Sequence, residues 1–225
     1  MRILGSWDET SSLRAIRVSL GALAGSHAAP GQVVKVRAAS GEAYFAVASA
    51  PAPDGTAELL VKRGGKIADE VIASATSGAW LELSAPFGKG FPLSGAEGRD
   101  LLLFAAGSGI APVRALLQHV ISHRNRFRRV TLFYGQRRGA DFAYRGEHLD
   151  WERHGVRVVL CPSSAEEAWP GVRGRVQEVA RALGLGGSDP AGSEAYVCGM
   201  TAMVNDVKST LKEAGVPPER VHLNF

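Results

Sequence analysis

Two kinds of hydrophobic patterning divide this chain. In the first part, apolar and polar residues alternate in short runs. Ile16, Val18 and Leu20 alternate with Arg17 and Ser19, and Val34, Val36 and Ala38 alternate with Lys35 and Arg37. A period of two marks a half-buried strand, because successive side chains point to opposite faces. Tyr44–Ala48, Ala57–Val61 and Trp80–Ser84 extend the series, and Ala29-Pro30-Gly31, Ser40-Gly41, Pro51–Gly55 and Ser77-Gly78 supply turn chemistry between them. Short strands at this spacing predict an antiparallel barrel or sandwich, with one helix over Ile67–Ala75 after Gly64-Gly65.

Further along, unbroken apolar blocks alternate with helical patterns. Leu101–Ala105, Val130–Tyr134, Val156–Leu160 and Ala195–Cys198 read as buried strands. Val113–His123, a stretch within Tyr144–Arg153, Val176–Leu183 and Ala202–Ala214 read as helices. Strand–helix alternation predicts a parallel sheet covered on both faces. The change of regime falls in the polar, glycine-containing stretch Ser94–Arg99. It gives two domains, a barrel over residues 1–97 and an α/β half over 98–225.

Composition narrows the chemistry. The 225 residues are 45% hydrophobic and 21% charged, an ordinary globular balance. No apolar run is long enough to span a bilayer and Met1–Thr10 has no secretory pattern, so a cytoplasmic location is expected. The two cysteines, Cys161 and Cys198, build no metal cluster, and His119 and His123 have no convergent third ligand, so no metal is expected. The net charge of +4 and the basic run His123–Arg129 raise nucleic-acid binding. No recognition helix or aromatic platform accompanies that run, and a solvated helix end accounts for it. Trp80, Trp151 and Trp169 read as packing residues.

The stretch Leu101–Leu117 carries the first chemical signal. A buried strand stops at Gly107-Ser108-Gly109 and a helix follows from Ile110, with Pro112 in its first turn. A helix start offers unpaired N–H groups and partial positive charge to a phosphate, and glycines let a pyrophosphate approach the backbone. The spacing is G-x-G-x-x-P and not the full dinucleotide fingerprint, so an ordinary strand-to-helix turn is the plain alternative.

Four motifs in order resemble the ferredoxin–NADP reductase-like flavoprotein family. Ala85-Pro86-Phe87-Gly88 resembles its barrel-closing turn, and Gly107–Pro112 its pyrophosphate turn. Tyr134-Gly135-Gln136-Arg137 resembles the strand end facing the adenosine ribose. Cys198-Gly199-Met200-Thr201-Ala202-Met203 resembles the segment beside the nicotinamide, with Met200 in place of proline. The resemblance implies an N-terminal antiparallel Greek-key β-barrel for FAD and a C-terminal α/β parallel-sheet nucleotide-binding domain for NAD(P)H. It implies that Gly107, Ser108, Gly109 and Ile110 hold pyrophosphate. Cys198, Gly199 and Met200 then lie at the nicotinamide, with Cys198 in the catalytic position. Arg137 and Arg138 are candidates for a 2′-phosphate, a slight lean to NADP.

The resemblance weakens at the flavin. The family's R-x-Y-[ST] strand aligns with Ala43–Ala46, so arginine, tyrosine and hydroxyl residue become Ala43, Phe45 and Ala46. Phe45 keeps a ring to stack, and backbone N–H groups of Ala46 or Val47 are expected at flavin N5. Gly64, Gly65, Lys66, Ile67 and Ala68 resemble the helix start that meets the FAD pyrophosphate. Phe225 is the candidate for covering the flavin's far face. A branch of fruit-protein-like oxidoreductases likewise lacks the arginine. The expected activity is hydride transfer from NAD(P)H to FAD, then electron release to an acidic carrier such as ferredoxin or to a small molecule. The alternative is a non-catalytic nucleotide-binding or regulatory protein that has lost its flavin.

Overall fold

The computed structural model of the chain describes residues 1–164 and 169–224. Its first part holds two three-stranded antiparallel sheets. One runs β1 (Arg2–Asp8), β2 (Leu13–Ser19), β5 (Thr56–Lys62). The other runs β4 (Gly41–Ala46), β3 (Val33–Ala38), β6 (Glu82–Leu83). Single-residue pairings, Val47 with Leu59 and Arg2 with Trp80, stitch them together. The alternation seen in the sequence fills the interior, with Ile16, Val18, Val34, Val36, Leu59 and Val61 almost wholly buried. Helix α1 (Lys66–Ser74) packs Val71 and Ile72 onto this core.

The second part is a five-stranded parallel sheet. Its order is β11 (Val221–Leu223), β10 (Ser193–Cys198), β7 (Asp100–Ala106), β8 (Val130–Gln136), β9 (Val156–Pro162). Strand β7 shows why its run is apolar throughout. Leu101, Leu103 and Ala105 face α2 (Ile110–Ser122) and α3 (Arg145–Arg153), whereas Leu102 and Phe104 face α4 (Val176–Ala182) and α5 (Thr201–Glu213). Both faces are covered, so both registers must be hydrophobic.

Strand β5 joins the two parts. Ala57, Leu59 and Val61 point into the barrel core, while Leu60, together with Leu13, Ala15, Ala48 and Phe91, enters the core formed by β7 and α2. The two halves thus share one continuous hydrophobic cluster.

Several expectations need correction. Trp80–Ser84 shrinks to a two-residue strand, and Trp80 leaves 77% of its surface exposed while Leu81 takes the buried place. Trp80 is therefore not a packing residue. Trp151 is buried, and Trp169 lies 5.7 Å from the ring of Phe142. The basic run is not simply solvated. Arg124 donates to the carbonyls of Phe127 and Gly155, Arg126 pairs with Glu97, Arg128 with Asp100, and Arg129 donates to the Gly187 carbonyl. It staples the loops at the sheet's N-terminal edge. No helix among the described residues is long and apolar enough to cross a membrane.

Candidate active site

A cleft of about 970 Å³ opens where the carboxyl ends of β7, β8, β9 and β10 face β4 and β5. Ligands bind open α/β sheets at such strand ends. The volume lies at the upper end of the range of roughly 300–1,000 Å³ for small-molecule sites.

The glycine turn forms the cleft floor. Gly107 is left-handed (φ +60°) and nothing lies within 4 Å of where a Cβ would stand, so the backbone there is open to a ligand. At Gly109 a Cβ would stand 2.4 Å from the Cys198 carbonyl oxygen, so only glycine lets the end of β10 close onto the turn. Gly107, Ser108 and Gly109 all line the cleft. Ile110 does not: its side chain is fully buried and its N–H bonds back to the Gly107 and Ser108 carbonyls. Beneath the turn, the Tyr134 hydroxyl accepts from Gln136 Nε2 (2.9 Å) and from the Ala143 N–H (3.2 Å) and reaches the Gly107 carbonyl at 3.5 Å. Burial pushes this phenol up to about 12, so it holds the turn as a neutral group.

Cys198, Gly199 and Met200 continue the wall from β10. The Cys198 thiol is buried, and burial raises it to about 12. A neutral thiol contributes shape and soft contact rather than nucleophilic attack. At Gly199 a Cβ would meet the end of Met203 at 2.7 Å. Met200 precedes α5 and is exposed at the mouth.

Arg137 lines the far end, whereas Arg138 turns away to Asp141 at 2.9 and 3.1 Å. The Ser164 N–H donates to the Arg137 carbonyl, which brings the loop after β9 to the same end. Arg175, capping α4, also lines the cleft there. Gln177 is buried beside it. Its Nε2 donates to Asp206 (3.0 Å), and its Oε1 has no hydrogen-bond partner among the described residues. Sequence reasoning missed Arg175, Gln177, Ser164 and Cys161. They lie in or beside an irregular loop and on a strand end, where periodicity carries no signal.

Phe45 and Ala46 form the barrel wall with Leu60 and Lys62. Lys62 was also missed, although the alternation of β5 puts it on the face of Glu58 and Leu60. Val47 requires a correction: it is fully buried in the barrel core and its N–H is spent on the Gln32 carbonyl at 2.8 Å. Residues Gly64 to Ala68 stand outside the cleft lining. Gly64 is left-handed (φ +98°) and its N–H donates to the Asp69 carboxylate at 3.0 Å, so α1 carries its own anion at its start. Ile67 and Ala68 pack on the barrel core, and Lys66 is exposed. Phe225 lies outside the described residues.

Comparison with known proteins agrees with this geometry. Residues 103–209 match the family model for the oxidoreductase NAD-binding domain. The chain is 28% identical over 201 residues to sulfhydrogenase 1 subunit gamma of Pyrococcus furiosus, covering 87% of this chain and 67% of that one. It is 32% identical over 202 residues to the xylene/toluene monooxygenase electron transfer component of Pseudomonas putida, covering 85% of this chain and 55% of that one. The chain therefore spans only part of these relatives. A ferredoxin NADP+ reductase from Neisseria gonorrhoeae, solved with bound FAD and NADP, superposes with a TM-score of 0.81 at 20% identity, covering 100% of this chain and 97% of that one. The match identifies residues 103–209 as an oxidoreductase NAD-binding domain, and the superposition shows that the chain as a whole shares the two-part fold of the ferredoxin NADP+ reductase.

Proposed function

We propose that this chain takes a hydride from NAD(P)H in the cleft, delivers it to FAD and releases electrons to a separate acceptor. The observation that carries this reading is that one cleft has a glycine turn and Cys198 on one wall and the proposed flavin strand on the other. FAD, when bound, accepts two electrons and can pass them on one at a time. The chain's own contribution is placement and exclusion of water.

The wall fits both groups. Gly107 leaves its backbone bare for a pyrophosphate, and the small Ala46 beside Phe45 leaves width for a planar ring. With Val47 spent, the Ala46 backbone is the N–H we assign to flavin N5. Lys62 supplies the cation that Ala43 lacks. Gly64 and Gly65 serve the pyrophosphate of FAD only if Asp69 yields the Gly64 N–H, which weakens FAD retention. Cys198 bounds the nicotinamide pocket as a neutral group. Arg137 and Arg175 at the far end favour a 2′-phosphate and hence NADPH.

The boundary we draw between a flavin domain (1–97) and a nucleotide domain (98–225) lies in the turns before β7. Both relatives have redox names, and one is called an electron transfer component, which supports an acidic carrier protein or a small molecule as acceptor. A flavin-free binding protein gains nothing from these relatives. Two buried free thiols accord with a cytoplasmic location.

The test is spectral. Purified protein, incubated with FAD and freed of excess, is expected to show the visible bands of bound oxidised flavin. A protein that stays colourless after reconstitution contradicts the reading.

A further inference from the structure

Six residues close a ring across the junction of the two halves, and none of them lines the cleft. Trp7 Nε1 donates to Glu9 Oε1 at 2.6 Å. Glu9 Oε2 accepts the Tyr144 N–H at 2.7 Å. The Tyr144 ring lies under the Arg114 guanidinium, 4.2 Å from its centroid. Arg114 Nη1 stands 3.1 Å from Glu58 Oε1, and Glu58 Oε2 accepts from Arg17 at 3.3 Å. The Arg17 guanidinium returns over the Trp7 ring at 5.2 Å. Four members belong to the barrel and two to the α/β half.

Arg114 is the centre of this ring and is only 5% exposed. Besides its ion pair with Glu58, it donates to the Ala48 carbonyl at 2.8 Å and to both carboxylate oxygens of Glu147 at 2.6–3.0 Å. Ala48 lies two residues beyond Ala46, on the chain leaving the flavin wall. Arg114 sits on α2, which begins directly after the Gly107–Gly109 turn. One rigid guanidinium therefore ties the two cleft walls at their roots. Tyr144 even holds a left-handed backbone (φ +58°) to present its N–H and ring to this ring of contacts. The surrounding contacts between Leu13, Leu60, Leu116 and Leu117 are apolar and non-directional, so they permit sliding that directional bonds to a fork-shaped cation forbid.

We propose that Arg114 is a positioning residue that fixes the distance and tilt between the nucleotide turn and the flavin wall. This rests on the hydride-transfer reading above, because only there does that distance set a rate.

The test uses Arg114→Lys, which keeps the charge but loses the fork, and Glu58→Gln, which keeps Arg114 and its shape. In the FAD-loaded protein, the limiting rate of flavin reduction by NAD(P)H is expected to fall about 100-fold in Arg114→Lys, the size of loss set by a displacement of about 1 Å. NADP+ affinity, measured by titration, is expected to change by less than about threefold. Spin labels on Ser77→Cys and Lys208→Cys, both exposed positions in opposite halves, read the geometry without flavin. A narrow distance distribution in the parent is expected to broaden or shift in both variants. An unchanged distribution together with a reduction rate within threefold of the parent overturns the proposal. If the parent holds FAD yet neither nucleotide reduces it, the hydride-transfer reading falls, while the label distances still decide whether Arg114 fixes the walls.

Discussion

Cys198 shows how much one residue's environment decides. The family resemblance gives the cysteine at this strand's carboxyl end a positioning role, and burial, which keeps the thiol protonated, accords with that role. We expect Cys198→Ala to keep FAD and to slow flavin reduction by about tenfold, since a small void at the nicotinamide loosens its placement; stopped-flow bleaching checks this. Burial also holds Cys161 near 12, above the ordinary 9.0, as it does Cys198. Below pH 9.0 both folded and unfolded chains keep these protons. Above it the unfolded chain loses them first, so stability is full below that pH and declines as pH rises towards 12. Thermal melts across this range are expected to show the decline, with a shallower slope in Cys198→Ala. Gly107, Gly109 and Cys198 were legible in the sequence because a strand end, a turn and a helix start are local. Ile110 and Val47 were not. Whether a backbone N–H is free depends on which carbonyl lies opposite, and that partner comes from the fold.

At the scale of elements, the apolar blocks and the alternation gave most strands to within a residue or two. Two edge strands escaped. β1 alternates poorly, its burial running from Ile3 to half-exposed Ser6 and Trp7, and β11 is three residues long at a sheet edge. Trp80 was misread because short edge pairing puts an aromatic on the outer face as easily as on the inner. On the proposed reading β4 carries the flavin wall, and it departs most from the pattern it resembles, with Ala43, Phe45 and Ala46 in place of R-x-Y-[ST]. Restoring the cation by Ala43→Arg adds a charge-assisted contact of about 1.5–3 kcal/mol, expected to tighten FAD about tenfold to a hundredfold. Equilibrium titration with FAD checks it, and unchanged affinity places the pyrophosphate away from β4. At the other end of the cleft, Arg175→Ala is expected to raise KM for NADPH more than for NADH, read from the two steady-state profiles.

For the whole molecule, the decisive feature is the hydrophobic cluster that runs from Leu13 and Leu60 through β7 to α2 and α3. The sequence announced two patterns and a join, but not that β5 would give alternate residues to each half. A shared core makes the halves one cooperative unit, so calorimetry and tryptophan fluorescence are expected to report one coincident unfolding transition. Two separated transitions would break that picture. The cleft depends on this junction, because its two walls come from opposite sides of it.

The most direct measurement mixes FAD-loaded protein anaerobically with NADPH or NADH deuterated on one face of C4 and follows loss of the oxidised flavin's absorbance. Bleaching is expected to saturate with nucleotide and to be slowed by deuterium on one face only. A tightly bound flavin that neither nucleotide bleaches, or bleaching indifferent to deuterium on both faces even at the limiting rate, would contradict direct transfer across this cleft.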